Sequence, residues 1–201
     1  VLEEFVDEIR IDSMGNVVCV KNGSDLELMI ASHIDEIGFI VKYIDDKGFI
    51  RFSTLGGWFD QTALNQRAVL HGEKGKVYGV LGCKPPHLMK DEERKKVIEL
   101  RDMFIDVGAS SKEEVLEMGI DVGTPITLDR EFRELKGSRV TGKAFDNRAG
   151  VAMMIEAIKQ TKSDATLYAV GTVQEEVGLK GARTSAFAIE PDAAIATDVC
   201  V

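Results

Sequence analysis

The chain has 201 residues, of which 44% are apolar, and its 34 acidic and 25 basic residues give a formal net charge of −9. This length and apolar content are sufficient for a hydrophobic core in one large domain or two small ones. The acidic balance argues against nucleic acid and anionic membranes as partners, because both select clustered lysine and arginine.

The first predicted elements are strands. Residues 12–20, DSMGNVVCV, have the pattern of a turn followed by a strand, and residues 26–36, LELMIASHIDE, that of an apolar strand ending in polar side chains. Between them, KNGSD at 21–25 contains Asn22-Gly23, a dipeptide that favours a tight hairpin turn. The sequence therefore predicts a β-hairpin at this point.

Residues 37–130 are predicted to form a β-rich module. IGFIVKYID and FIRFSTLGG alternate on either side of DKG as a hairpin, and further short strand-like runs follow, namely RAVLHG, KVYGVLG, MFIDVGA and DVGTPITLD. One short helix is predicted around SKEEVLEMG, with Ser110 or Ser111 as its N-cap and Gly119 at its end. Short strands separated by turns are typical of a small β-barrel or sandwich.

The pattern changes after this β module to alternating helices and strands. AFDNRAGVAMMIEAIKQTK predicts a turn at 146–148 and a helix from about Ala149 to Thr161, because its apolar residues recur at helical spacing. ATLYAVGTV is predicted to be a strand covered on both faces, GARTSAFAI a helix, and DAAIATDV another buried strand. This alternation indicates an α/β sheet. We therefore expect an α/β domain formed by residues 1–36 and 131–201, interrupted by the β module.

The cysteines and the two ends of the chain bear on its cellular context. Cys19, Cys83 and Cys200 are odd in number and lack CxxC spacing, which favours a reducing, cytoplasmic location, and Cys200 is predicted to be a small buried residue. No stretch approaches the ~20 apolar residues needed to cross a bilayer, and no signal-peptide pattern opens the chain. Because the chain begins at Val1 without methionine and stops at Val201 directly after a strand-like run, we expect it to be part of a longer protein.

Polar side chains follow the apolar strands, at the ends where ligands bind in α/β sheets. They are His33 and Asp35, Glu175 and Glu176, and Asp198, with Asp146 in the turn before the long helix. Each has an ordinary alternative role, as a strand-end histidine, a helix N-cap or a carboxylate facing water. Their joint placement favours a pair of Zn²⁺-like ions, since imidazole and carboxylate are suitable ligands. A cation would also offset the cost of placing two glutamates side by side.

Several segments carry a resemblance to a known family. HIDEIG at 33–38, AFDNRAG at 144–150, TVQEEVGLKGARTSAF at 172–187 and the strand end ATDV resemble the M42 family of cocatalytic metallo-aminopeptidases, which includes glutamyl and deblocking types and forms tetrahedral (TET) assemblies. The similarity extends over nearly the whole chain, including LGG and KPPH in the β module. It implies an aminopeptidase-type α/β sheet domain, truncated here, that is interrupted by an inserted small β-barrel or PDZ-like domain.

The resemblance implies two divalent metal ions per subunit in the complete enzyme, zinc or cobalt. His33 and Asp198 would bind the first ion, and Glu176 would bind the second. Asp146 would bridge the two ions, with a peptide bond to Asn147 that is often cis in such enzymes.

The resemblance also implies the remaining roles. Asp35 would hydrogen-bond the ring of the ligating histidine and fix its tautomer, and Glu175 would be the general base. The family's fifth ligand is a histidine well beyond the last aspartate. Since His71 and His87 lie in the β module and do not match that pattern, we expect the second metal site of this chain to be incomplete.

The implied activity is that of a hydrolase, an aminopeptidase that removes N-terminal residues from short peptides with a water activated by two metal ions. Two alternatives remain open: a truncated, catalytically incomplete assembly fragment of such an enzyme, and a related dimetal hydrolase acting on another amide or a glycan. The module at 37–130 would mediate self-association, as a dimer-based dodecamer in the complete enzyme. Trp58 and Phe59 fit either an interface patch or core packing.

Overall fold

The computed structural model describes residues 1–199, so Cys200 lies outside the described residues. Within them the strands are, in chain order, β1 (Glu8–Ile11), β2 (Val17–Lys21), β3 (Ser24–His33), β4 (Gly38–Ile44), β5 (Ile50–Leu55), β6 (Arg67–Gly72), β7 (Gly75–Gly82), β8 (Phe104–Asp106), β9 (Pro125–Leu128), β10 (Arg133–Glu134), β11 (Val140–Thr141), β12 (Ala165–Thr172) and β13 (Ala193–Ala196). The α-helices are α1 (Asp91–Arg94), α2 (Lys112–Glu117), α3 (Phe145–Gln160) and α4 (Lys180–Ile189), with short 3-10 helices at Asp60–Thr62, Pro86–Leu88 and Leu100–Asp102. None of these helices has the length and apolar character that a membrane span requires.

The described chain divides into two compact units, one formed by residues 1–36 with 144–199 and the other by Ile37–Lys143. The first unit is built on a five-stranded sheet with the order β1-β2-β12-β3-β13. β12 and β13 run parallel to β3, whereas β2 is antiparallel to β1 and β12. The register pairs Thr172 with His33, so the carboxyl ends of the parallel strands meet at one edge. The mixed α/β class predicted from the order of the elements is confirmed.

The hairpin predicted at Asn22-Gly23 is wrong. β12 inserts between β2 and β3, so these two strands are not neighbours in the sheet. The turn contacts the start of β12 instead: the Gly23 N–H donates to Thr166 Oγ1 at 3.1 Å, and a Cβ on Gly23 would lie 2.2 Å from the carbonyl oxygen of Asp164. Pairing of both strands with a third, apolar strand has overridden the local turn preference.

Helices α3 and α4 cover opposite faces of this sheet. Successive strand residues point to opposite faces, and Leu167 packs in the cluster that contains Met154 and Ile158 of α3. Val170, three residues further along β12 and therefore on the opposite face, packs in the cluster that contains Ile189 of α4. The apolar side of the predicted long helix therefore faces the core, as its spacing indicated.

Strand β13 was predicted to be buried, and this prediction is wrong. All four of its residues are exposed, with Ile195 at 62%. The reason is that β13 is the edge strand of the described sheet and pairs only with β3. An apolar run cannot distinguish an edge strand from a central strand, because the neighbours that cover it lie elsewhere in the chain.

The second unit contains a closed barrel with the strand order β4-β5-β8-β7-β6-β9. Its interior is filled by fully buried apolar side chains, among them Phe39, Ile50, Leu70, Ile105 and Ile126. Trp58 stacks on Phe39 with 4.3 Å between ring centroids and donates through Nε1 to the Gly38 carbonyl at 2.9 Å. Phe59 is exposed. Of the two aromatic residues, Trp58 is therefore partly buried against the barrel core, and Phe59 lies on the surface.

The predicted short helix and the end of the β module are also seen in the second unit. Ser111 is the N-cap of α2 and accepts a hydrogen bond from the Glu114 N–H at 3.3 Å, and Gly119 follows the helix with φ +81°. Residues 131–143, predicted to start the second α/β segment, lie within the second unit. There the chain folds back on itself as the short antiparallel pair β10–β11 before α3 begins.

Candidate metal centre

The candidate site lies in the first unit, at the edge where three parallel strands end. His33 is the last residue of β3, Glu175 and Glu176 follow β12, Asp198 follows β13, and Asp146 is near the start of α3. Because the carboxyl ends of β3, β12 and β13 are in register, residues far apart in the sequence emerge side by side.

His33 lies at the centre of this group. Its side chain is only 3% exposed, and Nε2 is 3.0 Å from Asp146 Oδ1, 3.8 Å from Asp198 Oδ1 and 3.9 Å from Glu175 Oε2. Ligand atoms of His33, Asp146 and Asp198 all lie within 4.8 Å of one another, and so do those of His33, Glu175 and Glu176. These two groups contain five of the six residues that the sequence singles out, and the sixth, Asp35, lies beside them.

These atoms are suitable ligands for divalent cations. They comprise one imidazole nitrogen and several carboxylate oxygens, the donor set that Zn²⁺ and related ions accept. Two atoms that each lie about 2.1 Å from one zinc ion are at most about 4.2 Å apart. The 3.0 Å and 3.8 Å distances from His33 to Asp146 and Asp198 meet this condition. The residues present therefore fit a metal ion.

Asp35 contacts the His33 ring, as the resemblance implied, and the hydrogen bond is made by its main chain. His33 Nδ1 is 3.1 Å from the backbone carbonyl oxygen of Asp35 and 3.6 Å from its Oδ1. The carboxylate instead accepts the backbone N–H groups of Glu175, at 3.1 Å to Oδ1, and of Glu176, at 3.2 Å to Oδ2. The main chain of Asp35 therefore makes the hydrogen bond to the ring, because its carboxylate is used by two loop amides. A proton on Nδ1 that donates to this carbonyl leaves Nε2 free for a cation.

Electrostatics in the site reflect its crowded carboxylates. Burial opposes protonation of the His33 ring, but Glu175, the hydrogen bond to Asp35 and the contact with Asp146 together raise the pKa of His33 above its ordinary value. The pKa of Glu176 is raised first by burial and then by the negative charges of Asp146 and Glu175. In both shifts, part of the increase comes from neighbouring carboxylates, whose negative charge a bound cation would offset.

Asn147 is a buried polar residue that the sequence analysis did not assign to the site. It follows Asp146 through a cis peptide bond. Its Nδ2 donates to the Thr197 carbonyl at 2.8 Å, and its Oδ1 accepts the Gly150 N–H at 3.0 Å. Since Thr197 precedes Asp198, this side chain joins the two segments that carry the aspartates. Its position directly after Asp146 was the only signal available in the sequence.

The other two histidines belong to the second unit. His71 lies on β6 with Nε2 2.9 Å from Thr127 Oγ1, and His87 lies in the 3-10 helix Pro86–Leu88. Among residues 1–199, neither is part of a group of three potential metal ligands.

Known proteins are similar to this chain over almost all of it. A family model described as M42 glutamyl aminopeptidase matches residues 15–201. The lysyl aminopeptidase of Pyrococcus furiosus is 40% identical over 201 residues, which are 99% of this chain and 58% of that protein. The crystal structure of a TET aminopeptidase from a marine-sediment archaeon of the Thaumarchaeota has a TM-score of 0.95 and 43% identity, covering 100% of this chain and 58% of its own. The TET1 peptidase of Pyrococcus horikoshii, which can assemble into a tetrahedron or a large octahedral shell, has a TM-score of 0.89 and 35% identity, covering 100% of this chain and 62% of its own. The chain therefore spans between 58% and 62% of the length of these three relatives.

Proposed function

The chain belongs to the M42 glutamyl aminopeptidase family, and on that basis we propose that the protein containing it is a metal-dependent aminopeptidase that removes N-terminal residues from short peptides. The observation that carries the proposal is the convergence of one imidazole and four carboxylates at one sheet edge, with their ligand atoms in two groups that share His33 and are each no more than 4.8 Å across. The excess of carboxylates also suits a substrate with a cationic α-amine, which would confine cleavage to the first residue of a peptide.

In this proposal His33 and Asp198 would hold one divalent ion, Glu176 would hold a second, and Asp146 would be a ligand of both. When bound, the two ions, zinc or cobalt, supply Lewis-acid polarisation of the scissile carbonyl and acidification of the attacking water. The 3.0 Å approach of Asp146 Oδ1 to His33 Nε2 supports the bridging role, because it places this carboxylate beside the ligand of the first ion.

We assign the role of general base to Glu175. Its Oε2 lies 3.9 Å from His33 Nε2, and its side chain is partly exposed, so it adjoins the ligand cluster and also reaches solvent. Glu175 Oε2 accepts a proton from the attacking water and returns it to the leaving amine. The hydrogen bond from the Glu175 N–H to Asp35 holds the main chain of the base while the proton moves. Asp35 acts on the base and on Glu176 through their backbone amides.

The finer architecture is also a proposal. The first unit is part of an aminopeptidase-type sheet domain, and the barrel within residues 37–130 is an inserted, PDZ-like domain through which subunits associate, in a dimer-based dodecamer for the complete enzyme. The assembly of the Pyrococcus horikoshii TET1 peptidase supports self-association. Cysteine usage supports a cytoplasmic location.

Two alternatives concern the activity of the chain itself. The family's fifth ligand is a histidine, and no histidine of this chain matches its position. The 201-residue chain could therefore be a catalytically incomplete assembly fragment of such an enzyme. The same metal centre is compatible with hydrolysis of another amide or a glycan, since a two-metal site does not by itself select the bond that is cleaved.

One experiment separates these functions. The 201-residue chain and the complete gene product are purified, their bound metals are counted by elemental analysis, and both are assayed with added Zn²⁺ or Co²⁺ on aminoacyl anilides, other amides and oligosaccharides. Retained metal and hydrolysis of anilides by the complete protein support the proposal, and robust hydrolysis by the 201-residue chain excludes the fragment reading. Metal-dependent cleavage of oligosaccharides or other amides alone favours the related hydrolase. Absence of metal binding in both proteins overturns the proposal.

A further inference from the structure

A buried asparagine outside the ligand cluster bonds to both ends of the segment that carries the two glutamates. We call this segment, residues 173–181, the glutamate loop. Asn16 is 0% exposed and lies between β1 and β2. Its Oδ1 accepts the Val173 N–H at 3.0 Å, and its Nδ2 donates to the Gly181 carbonyl at 3.2 Å. Val173 directly follows β12 and Gly181 is the second residue of α4, so one side chain links the start and the end of the loop.

The orientation of the Asn16 amide is itself determined by its neighbours. Asp12 Oδ2 accepts a hydrogen bond from Asn16 Nδ2 at 2.7 Å, and Asp12 Oδ1 accepts three backbone N–H groups, those of Met14, Gly15 and Asn16, at 2.8–2.9 Å. A flipped amide would place its oxygen against the Asp12 carboxylate and its NH₂ against the Val173 N–H. The amide therefore has one satisfactory orientation, with its oxygen toward the loop.

The fit at Gly181 gives a second, steric observation. A Cβ on Gly181 would lie 2.3 Å from Asn16 Oδ1 and 2.4 Å from the carbonyl oxygen of Val173. The Gly181 N–H donates to that same carbonyl at 2.9 Å, which closes the loop directly. The asparagine side chain and the two ends of the loop are thus packed with no room for a methyl group between them.

This contact bears on the metal centre because Glu175 and Glu176 lie two and three residues after Val173. Within residues 1–199, Asn16 hydrogen-bonds to none of the predicted metal ligands, so it acts on the site only through the loop. We propose that Asn16 is a positioning residue, which holds the glutamate loop where its two carboxylates face His33. The inference rests on the proposed function and deepens it, by naming a residue that sets the geometry of the general base and of the second metal ligand.

The test is backbone hydrogen exchange of the metal-free 201-residue chain, repeated during a titration with Co²⁺. In Asn16→Ala, amides of the glutamate loop are expected to exchange at least about tenfold faster than in the unmodified chain, because two hydrogen bonds to the loop are lost. The Co²⁺ concentration that protects the loop is expected to rise 10–100-fold, the usual effect of removing a residue that supports metal ligands.

Two further variants make the outcome specific. Val20→Ala shortens a buried side chain of β2 that packs away from the loop, and it controls for a general loss of stability. Asn16→Ser keeps a polar side chain beside Asp12 but is too short to link Val173 and Gly181, so it should reproduce the effects of Asn16→Ala and replaces that variant if it does not fold. The positioning role would be overturned if the loop amides of Asn16→Ala exchanged no faster than those of Val20→Ala and were protected at the same Co²⁺ concentration. Absence of Co²⁺ protection in both the unmodified chain and the complete gene product would instead overturn the metal centre itself, whereas the metal-free exchange would still report on the loop.

Discussion

Replacement of Asp35 by asparagine tests how the glutamates are held. The two oxygens of Asp35 accept two different backbone N–H groups, from Glu175 at 3.1 Å and from Glu176 at 3.2 Å. Asparagine has one oxygen, so one of these N–H groups would face an NH₂ group instead of an acceptor. The side chain is only 24% exposed, and a hydrogen bond to a charged group contributes about 1.5–3 kcal/mol. We therefore expect Asp35→Asn to lower the free energy of unfolding by about 1.5–3 kcal/mol.

The same substitution is expected to weaken metal binding. One of the two amides that anchor Glu175 and Glu176 loses its acceptor, and loss of such a supporting contact typically lowers metal affinity 10–100-fold. Urea denaturation of the metal-free chain measures the first effect, and calorimetric titration with Co²⁺ measures the second. The two readouts are independent, because the denaturation contains no metal.

Asp192→Asn is the matched control. Asp192 Oδ2 accepts a single backbone N–H, that of Glu27 at 2.8 Å, elsewhere in the same sheet. Asparagine can keep this one bond, so the control should lose less stability and should bind Co²⁺ like the unmodified chain. If Asp35→Asn matched Asp192→Asn in both unfolding free energy and Co²⁺ affinity, the reasoning from the two loop amides would be refuted.

Three further predictions concern the base, the core and an acid-sensitive turn. Glu175→Gln in the complete protein is expected to lower anilide hydrolysis 10²–10⁴-fold while Co²⁺ affinity is retained, because glutamine keeps the volume and loses the proton acceptor. Ile158→Ala, at a fully buried position beneath the sheet, is expected to cost about 2–5 kcal/mol in urea denaturation. Burial opposes ionisation of Asp12, but hydrogen bonds from Asn16, Met14 and Gly15 outweigh it and lower its pKa. Its stabilising effect should be complete above the unfolded pKa of about 3.9 and lost as the pH falls through the lower folded value, so the stability difference from Asp12→Asn should shrink below about pH 4.

Each of these predictions has an outcome that contradicts it. Unchanged turnover in Glu175→Gln would remove the base assignment. A loss below about 0.5 kcal/mol in Ile158→Ala, the range of an ordinary surface substitution, would contradict the assigned burial. A stability difference at Asp12 that grew on acidification would show that its carboxylate is not stabilised in the folded state.

Local patterns were sufficient for most element types and for choosing the residues of the candidate site. The apolar spacing in α3 correctly indicated the helix face that packs on the sheet, because that spacing is a property of adjacent turns. Polar residues after apolar runs, such as His33 and Asp198, could be expected at one edge, because parallel strands present their carboxyl ends together. Both inferences need only the order and type of neighbouring residues.

The partners of each element could not be obtained in this way. The Asn22-Gly23 turn does not form a hairpin because β12, more than 140 residues further along the chain, pairs between the two strands. The Asp35 carboxylate contacts two loop amides instead of the ring, and Asn16 reaches Val173 across 157 positions. Such contacts produce no periodicity or spacing that a single sequence could show, because each contact depends on which strands are neighbours in the sheet. The residue types of the candidate site can therefore be read from short motifs, whereas its geometry depends on pairings between distant segments that exist only in the folded chain.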